Sequence, residues 1–144
     1  MQYVGILLPT FALVALIFIV WLTLFVQRMG HIRRNPPRSE DFATGAGAMR
    51  YFEPVEMAAN NLRNLFEMPV LYFALVPLLM ITHHANHLQA LLAWVFVVLR
   101  ALHSFIHIGP KKVQPRFMVY LASCIVLSAM WIGFAIDIMA APEM

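Results

Sequence analysis

Charge is scarce in this chain. Asp, Glu, Lys and Arg make up 12 % of 144 residues, against roughly 25 % in an ordinary soluble domain. Hydrophobic residues make up 62 %, and mean hydropathy is +0.76. That is more apolar surface than one soluble domain of this length can bury, so a soluble protein is excluded. Intrinsic disorder is excluded too, because it needs low hydrophobicity and high charge. Cysteine is nearly absent: Cys124 stands alone. An intrachain disulfide and a multi-thiolate metal site are therefore ruled out. No internal repeat or low-complexity tract is present. What remains is one all-α membrane domain covering residues 1–144.

Four apolar runs predict a bundle of four transmembrane helices, at about 4–26, 54–81, 88–108 and 115–140. The first run holds 23 uncharged residues, about 35 Å of helix and enough to cross a hydrocarbon core of about 30 Å. No Lys or Arg precedes it and it is too long for the h-region of a signal peptide, so it reads as a membrane span. A polar loop follows at about 27–53, with Pro36-Pro37, Gly45 and Gly47 as breakers. Pro54 suits a first turn, whereas Pro69 and Pro77 are expected to kink the second span. Gly109-Pro110 ends the third.

The ten Lys and Arg residues are unevenly placed. Arg28, Arg33, Arg34, Arg38 and Arg50 fall in the first loop, and Lys111, Lys112 and Arg116 at the third. The outer loop and both termini have none. The positive-inside rule then makes loops one and three cytoplasmic and both termini external. The first-loop arginines read as topogenic charge at an anionic bilayer, with no nucleic-acid partner.

The remaining charges enter the spans. Glu56, Asn60, Arg63 and Glu67 fall on one face of a continuous helix, flanked by Asn64. Arg100, His103 and His107 share a face of the third span, and Arg116 and Tyr120 open the fourth at i, i+4. Three spans thus bring polar groups to one depth. A mid-span arginine costs about 2.5–3.5 kcal/mol to insert and needs a partner, which Glu56 or Glu67 could supply. One reading is an ion-pair network of Arg63 and Arg100 against Glu56 and Glu67 that fixes helix register. The other starts from the cationic excess of three Arg and two His over two Glu at this depth. That excess points to an anionic ligand entering from the cytoplasm, and Asn60 and Asn64 suit peptide-like amides.

Other features read more plainly. His83, His84 and His87 form a polar outer turn with no nearby carboxylate or cysteine to complete a metal site, so no metal is expected. Trp21, Trp94 and Trp131 read as anchors, the ten methionines as packing, and Ser123 and Ser128 as helix-packing residues. Cys124, in an apolar run, reads as a small hydrophobe.

The polar constellation resembles the MAPEG superfamily, the membrane-associated proteins of eicosanoid and glutathione metabolism. Arg63-Asn64-x-x-Glu67 is similar to the family's Arg-Asn-x-x-Glu, and Arg100-x-x-His103 to its Arg-x-x-His. Arg116 and Tyr120 stand at the spacing of the arginine and tyrosine that open its fourth helix. From Arg63 to Tyr120 the pattern resembles that of the glutathione-using prostaglandin E synthases without gaps. The resemblance implies a homotrimer with sites between subunits, each enclosing a U-shaped glutathione near the cytoplasmic face. It implies glutathione as cosubstrate, held by Asn60, Arg63, Asn64, Glu67, Arg100, His103 and His107. Arg116, nearest the thiol, and Tyr120 would be catalytic, and the second substrate a lipophilic small molecule. The implied activity is that of a glutathione transferase or peroxidase acting on lipophilic electrophiles; the alternative is a non-catalytic accessory or scaffold of the same fold. His107 stands where the family commonly has tyrosine, Asn60 where its eicosanoid branch has arginine, and Phe117 where a serine is proposed to assist prostaglandin isomerisation. These departures argue against prostaglandin synthesis. The segment 64–69 resembles a bacterial branch, which makes the expected location a bacterial inner membrane.

Overall fold

The computed structural model describes residues 4–110 and 112–140. Lys111 and the chain ends, on which the orientation reading partly rests, lie outside the described residues. All regular structure among the described residues is helical. Helix α1 spans Val4–Arg34, α2 Gly45–Phe52, α3 Glu56–Leu65, α4 Pro69–Ile81, α5 His87–Ile108 and α6 Val113–Ala140. A 3-10 turn at Glu53–Val55 joins α2 to α3. Four stretches are long and apolar enough to cross a membrane: α1, the composite Gly45–Ile81, α5 and α6. The protein is a multi-pass integral membrane protein.

Helix α1 runs eight residues beyond the expected end at 26, to Arg34. The residues from 27 to 34 are mostly polar, but the helix runs through them. The stop comes at Asn35-Pro36-Pro37, where a residue preceding proline is pushed out of the α region. His31, Arg33 and Arg34 occupy the last turn, where positive charge complements the helix dipole. Arg28, Arg33 and Arg34 are therefore helical residues and not loop residues.

The first loop is also less irregular than its glycines predict. Thr44 caps α2, its hydroxyl accepting from the Gly47 amide at 3.1 Å. Gly47 is needed there for space: a Cβ would lie 2.7 Å from the Asp41 carbonyl oxygen. His31, Phe42, Tyr51 and Phe52 then gather edge-on or tilted into an aromatic cluster, with ring centroids 4.8 Å apart for His31 and Tyr51 and 4.9 Å for Tyr51 and Phe52. This cluster holds α2 against the end of α1.

The second span is broken, not merely kinked. α3 stops at Leu65, and α4 starts at Pro69. Pro69 has no N–H, so the Leu65 carbonyl has no i+4 donor and the turn at 66–68 tightens to i, i+3 bonds. Pro77 does not interrupt α4.

Helix α5 is the centre of the bundle, packed against α1, α3 and α6. Asn86 caps it, accepting from the Gln89 amide at 2.9 Å. Ile6, Leu13, Tyr72, Leu75, Leu79, Phe96, Leu127 and Met130 belong to the core. Tyr72 stacks on Phe96 at 5.2 Å, and its hydroxyl meets Thr10 Oγ1 at 2.9 Å. Trp131 donates to the Leu71 carbonyl at 3.2 Å, a packing role that ties α6 to α4. Outward residues such as Phe11, Phe18, Leu22, Leu91 and Ile125 are apolar and exposed, as helices facing lipid require.

Candidate functional site

The site gathers at the end of the bundle that carries the basic residues. Arg100, His103, Ser104 and His107 follow at i, i+3, i+4 and i+7 on α5, so they share one face, and all four are buried. Arg100 is the largest fully buried side chain, 0 % exposed. Its Nη2 donates to the Asn64 carbonyl of α3 at 2.8 Å. That carbonyl is free because α3 stops at Leu65; in a continuous helix the amide of Met68 would take it. The guanidinium thus caps the C-terminal end of α3, where partial negative charge collects. Its other face stands 5.5 Å from the centre of the Tyr120 ring. Arg100 Nε and Nη1 have no hydrogen-bond partner.

His103 Nδ1 donates to the Arg116 carbonyl of α6 at 3.2 Å. With that nitrogen donating, the neutral ring keeps its lone pair on Nε2, which has no partner. His107 packs edge-on to His103 at 5.6 Å, and its Nδ1 is also unpartnered. The Tyr120 ring lies 5.8 Å from that of His103. The Arg116 side chain is half-buried and within electrostatic reach of both histidines. Asn64, Arg100, His103, His107, Arg116 and Tyr120 are thus brought together by three helices.

Three expected residues stand apart from this group. Asn60 and Arg63 line a groove of ≈ 350 Å³ with Met49, Arg50, Glu53 and Glu56. Glu67 falls in the break between α3 and α4, exposed, so it does not continue the stripe of Glu56, Asn60 and Arg63. It remains within electrostatic reach of Arg100 and Tyr120 but beyond ion-pair distance.

The register-fixing ion-pair network does not form among the described residues. Glu56 pairs instead with Arg28 of α1 at 3.5 Å, a partly exposed contact, and Arg28 lies over the Phe52 ring at 4.7 Å. Arg100 is left with a neutral carbonyl where a carboxylate was expected. The reason is the break at 66–68, which takes Glu67 off the helical stripe and offers a backbone acceptor in its place.

Beside the site, sequence reasoning passed over two buried polar residues, Ser104 and Asn61. Ser104 Oγ donates to Asn61 Oδ1 at 3.3 Å, linking α5 to α3, and Asn61 Nδ2 is unpartnered. The signal for Ser104 was its i+4 spacing from Arg100. Arg28 was counted with the loop charges, and only its helical setting joins it to Glu56.

Unpaired N–H groups on Arg100 and Asn61 give this cluster hydrogen-bonding capacity for an anion that also carries polar groups. Fold and site together define a four-span helical membrane protein with a buried cationic cluster at one end of the bundle. The sequence model of the MAPEG family matches residues 6–136, nearly the whole chain, and the chain belongs to that family of eicosanoid- and glutathione-metabolism type. No significant match is found among curated proteins or among solved structures.

Proposed function

We propose that the protein is a membrane-bound glutathione transferase, with peroxidase-like capacity, that uses glutathione as cosubstrate against lipophilic electrophiles. The observation that carries this reading is Arg100: a fully buried cation with no carboxylate partner and two nitrogens without hydrogen-bond partners, set beside His103, Arg116 and Tyr120. A structural arginine at this depth would be paired; a ligand-binding one keeps valence in reserve. Family membership supports the choice of glutathione as that ligand.

In this reading Asn60, Arg63, Asn64 and Glu67 hold the peptide body, and Arg100, His103 and His107 hold its anionic and amide groups. Arg116 faces the thiol, with the Tyr120 hydroxyl donating to the sulfur. A free thiol has a pKa of about 8.5 and is mostly protonated at neutral pH. A guanidinium beside it favours the thiolate, each unit of pKa being worth about 1.36 kcal/mol. The thiolate forms a bond to the electrophilic carbon, and the leaving group departs with the electron pair. A site at the membrane surface brings a water-soluble thiol to an electrophile dissolved in lipid.

We further infer a homotrimer in a bacterial inner membrane, with loops one and three cytoplasmic. Arg63 and Glu67 are exposed within the second span. Charge facing lipid is costly, and a neighbouring subunit covering this face removes that cost. The deciding experiment is thermal unfolding of the detergent-solubilised protein with and without glutathione, together with turnover of a halonitrobenzene. A ligand that binds only the native state raises the midpoint. Protection with turnover supports the transferase. Protection without turnover, or no protection at millimolar glutathione, leaves the accessory or scaffold reading.

A further inference from the structure

Another cavity, of ≈ 260 Å³, lies at the basic end of α1, lined by Val26, Gln27, Gly30, His31 and Arg34 and by Val55 of the 3-10 turn. It shares no residue with the Arg100 cluster or with the groove of Asn60 and Arg63. Val26 ends the uncharged run of the first span, so the cavity begins where the hydrocarbon core stops. Gln27 to His31 stand about 1.5–8 Å beyond Val26, within a headgroup layer of about 5–8 Å per leaflet. Helical side chains lean toward the helix N-terminus, which turns Arg34 back toward the membrane. Its donors are free. Arg33 and Arg34 are exposed, and among the described residues the one ion pair is Arg28–Glu56, so neither meets a carboxylate. Among the same residues no hydrogen bond occupies the side chains of Gln27, His31 or Arg34. Glu53 and Glu56, which flank Val55, line the other groove. The C-terminal end of α1 carries about half a negative charge, which the two arginines of its last turn outweigh. The cavity wall is held in place: His31 packs edge-on to Tyr51 at 4.8 Å, and the Tyr51 hydroxyl donates to the Asn35 carbonyl. Gly30 stands inside the helix, where glycine is unfavourable. A Cβ there would meet nothing within 4 Å, so the chain's own packing does not require it. What Gly30 does is keep the cavity open beside the donors. Ile19, Leu22 and Val26 lead up to Gly30 at i, i+3, i+7 and i+11 on one face of α1, and all three are exposed. An apolar strip thus runs from the lipid-facing span into the cavity.

We propose that this cavity binds the headgroup of an anionic glycerophospholipid whose acyl chains lie along Ile19, Leu22 and Val26. The phosphate oxygens accept from the Arg34 guanidinium, whose planar fork suits two of them at once, and from N–H groups of His31 and Gln27. Arg33 adds a second charge, and the headgroup passes over Gly30. The occupant is a lipid because the polar cavity and the apolar strip are continuous, and a soluble phosphate uses only the first. It is anionic because the cavity offers unpaired cations and no carboxylate for the ammonium of a zwitterionic headgroup. Topogenic charge needs only to lie on one side of the bilayer. This site needs Arg34 at its own position and the space at Gly30. It pins the end of α1, and through Tyr51 the first loop, to the membrane surface, whether or not the protein binds glutathione.

The test uses the full chain in detergent, incubated with equal amounts of dioleoyl phosphatidylglycerol and dioleoyl phosphatidylcholine, with retained lipid counted by native mass spectrometry. The wild type should retain phosphatidylglycerol at least about fivefold over phosphatidylcholine, the factor that about one arginine supplies at an anionic surface. Arg34→Gln and Gly30→Leu, the second filling the cavity, should both lose this preference. Arg38→Gln removes the same charge from outside the cavity and should keep it. Gly30→Leu should hold or raise the unfolding midpoint measured without added lipid. Equal retention of the two lipids by the wild type overturns the proposal. So does an equal loss in Arg34→Gln and Arg38→Gln, which would mark diffuse attraction to charge. A preference that survives Gly30→Leu puts the lipid elsewhere and overturns it as well. Glycerol phosphate, a headgroup without chains, should not raise the unfolding midpoint at the concentration at which phosphatidylglycerol does; equal shifts assign the site to a soluble phosphate and overturn the lipid.

Discussion

Replacing Arg100 by methionine keeps most of the side-chain volume and removes the charge. If that charge holds the fold together, its loss resembles breaking a buried ion pair, which costs about 3–5 kcal/mol. The surroundings of Arg100 argue otherwise. Arg100→Met gives up one charge-assisted bond, to the Asn64 carbonyl at 2.8 Å, worth about 1.5–3 kcal/mol. It also relieves the burial of Nε and Nη1, each unpaired group costing about 1–3 kcal/mol. Two such groups make about 2–6 kcal/mol, which matches or exceeds the loss, so the ligand-free midpoint should stay level or rise. For a chain of this length 1 kcal/mol moves the midpoint by about 2–4 °C, so loss of a structural pair would lower it by about 6–20 °C. Glutathione at a hundredfold excess over its Kd should stabilise the wild type by about 2.7 kcal/mol, or roughly 5–11 °C, and the variant by almost nothing. Scanning fluorimetry of both proteins, with and without glutathione, reads all four values. A ligand-free midpoint lowered by more than about 6 °C would show that the charge is structural, and full protection of the variant would show that it does not touch the ligand.

Three further outcomes are expected. Arg116→Ala should lower conjugation at neutral pH at least about tenfold, and raising the pH should recover it as the thiol ionises unaided; unchanged activity at pH 7 removes Arg116 from the thiol. Tyr72→Phe should lower the midpoint by about 2–4 °C, and a double-mutant cycle with Thr10→Val should give a coupling near 0.6 kcal/mol, typical of hydrogen bonds inside membranes; zero coupling refutes the bond drawn between their hydroxyls. Pro69→Ala restores the missing N–H and should let α3 run on into α4, turning the Asn64 carbonyl back into the helix. Glutathione protection should then fall while the ligand-free midpoint holds or rises, and unchanged protection counts against the role given to the break.

The membrane class and the four spans were legible because hydropathy over a span-length window leaves few alternatives. Helix ends were less legible. α1 reaches Arg34 because the helix is stopped by Asn35-Pro36-Pro37 and not by the polarity of residues 27–34. Gly45 and Gly47 looked like breakers, yet the Thr44 cap and the close approach to Asp41 make them the start of a helix. Within the site, spacing along one helix was enough to put Arg100, His103 and His107 on a common face. Partners across helices were not readable. The Arg28–Glu56 pair joins residues far apart in the chain, and the acceptor for Arg100 is a backbone carbonyl, which no residue identity announces.

That carbonyl explains how a chain so poor in charge can build an anion site. A carboxylate beside Arg100 would cancel its field and occupy two of its donors in a bidentate pair. Pro69 prevents this by ending α3 early and displacing Glu67 from the stripe. The Asn64 carbonyl that replaces it is neutral and takes one N–H. It fixes the guanidinium in place while leaving the charge uncancelled and two nitrogens free. In a medium of low dielectric such a charge acts over a longer distance than it does in water. The site's affinity for an anion therefore follows from a missing backbone donor as much as from the arginines themselves. It also follows that moving the proline should disturb ligand binding more than replacing most of the polar side chains on α3.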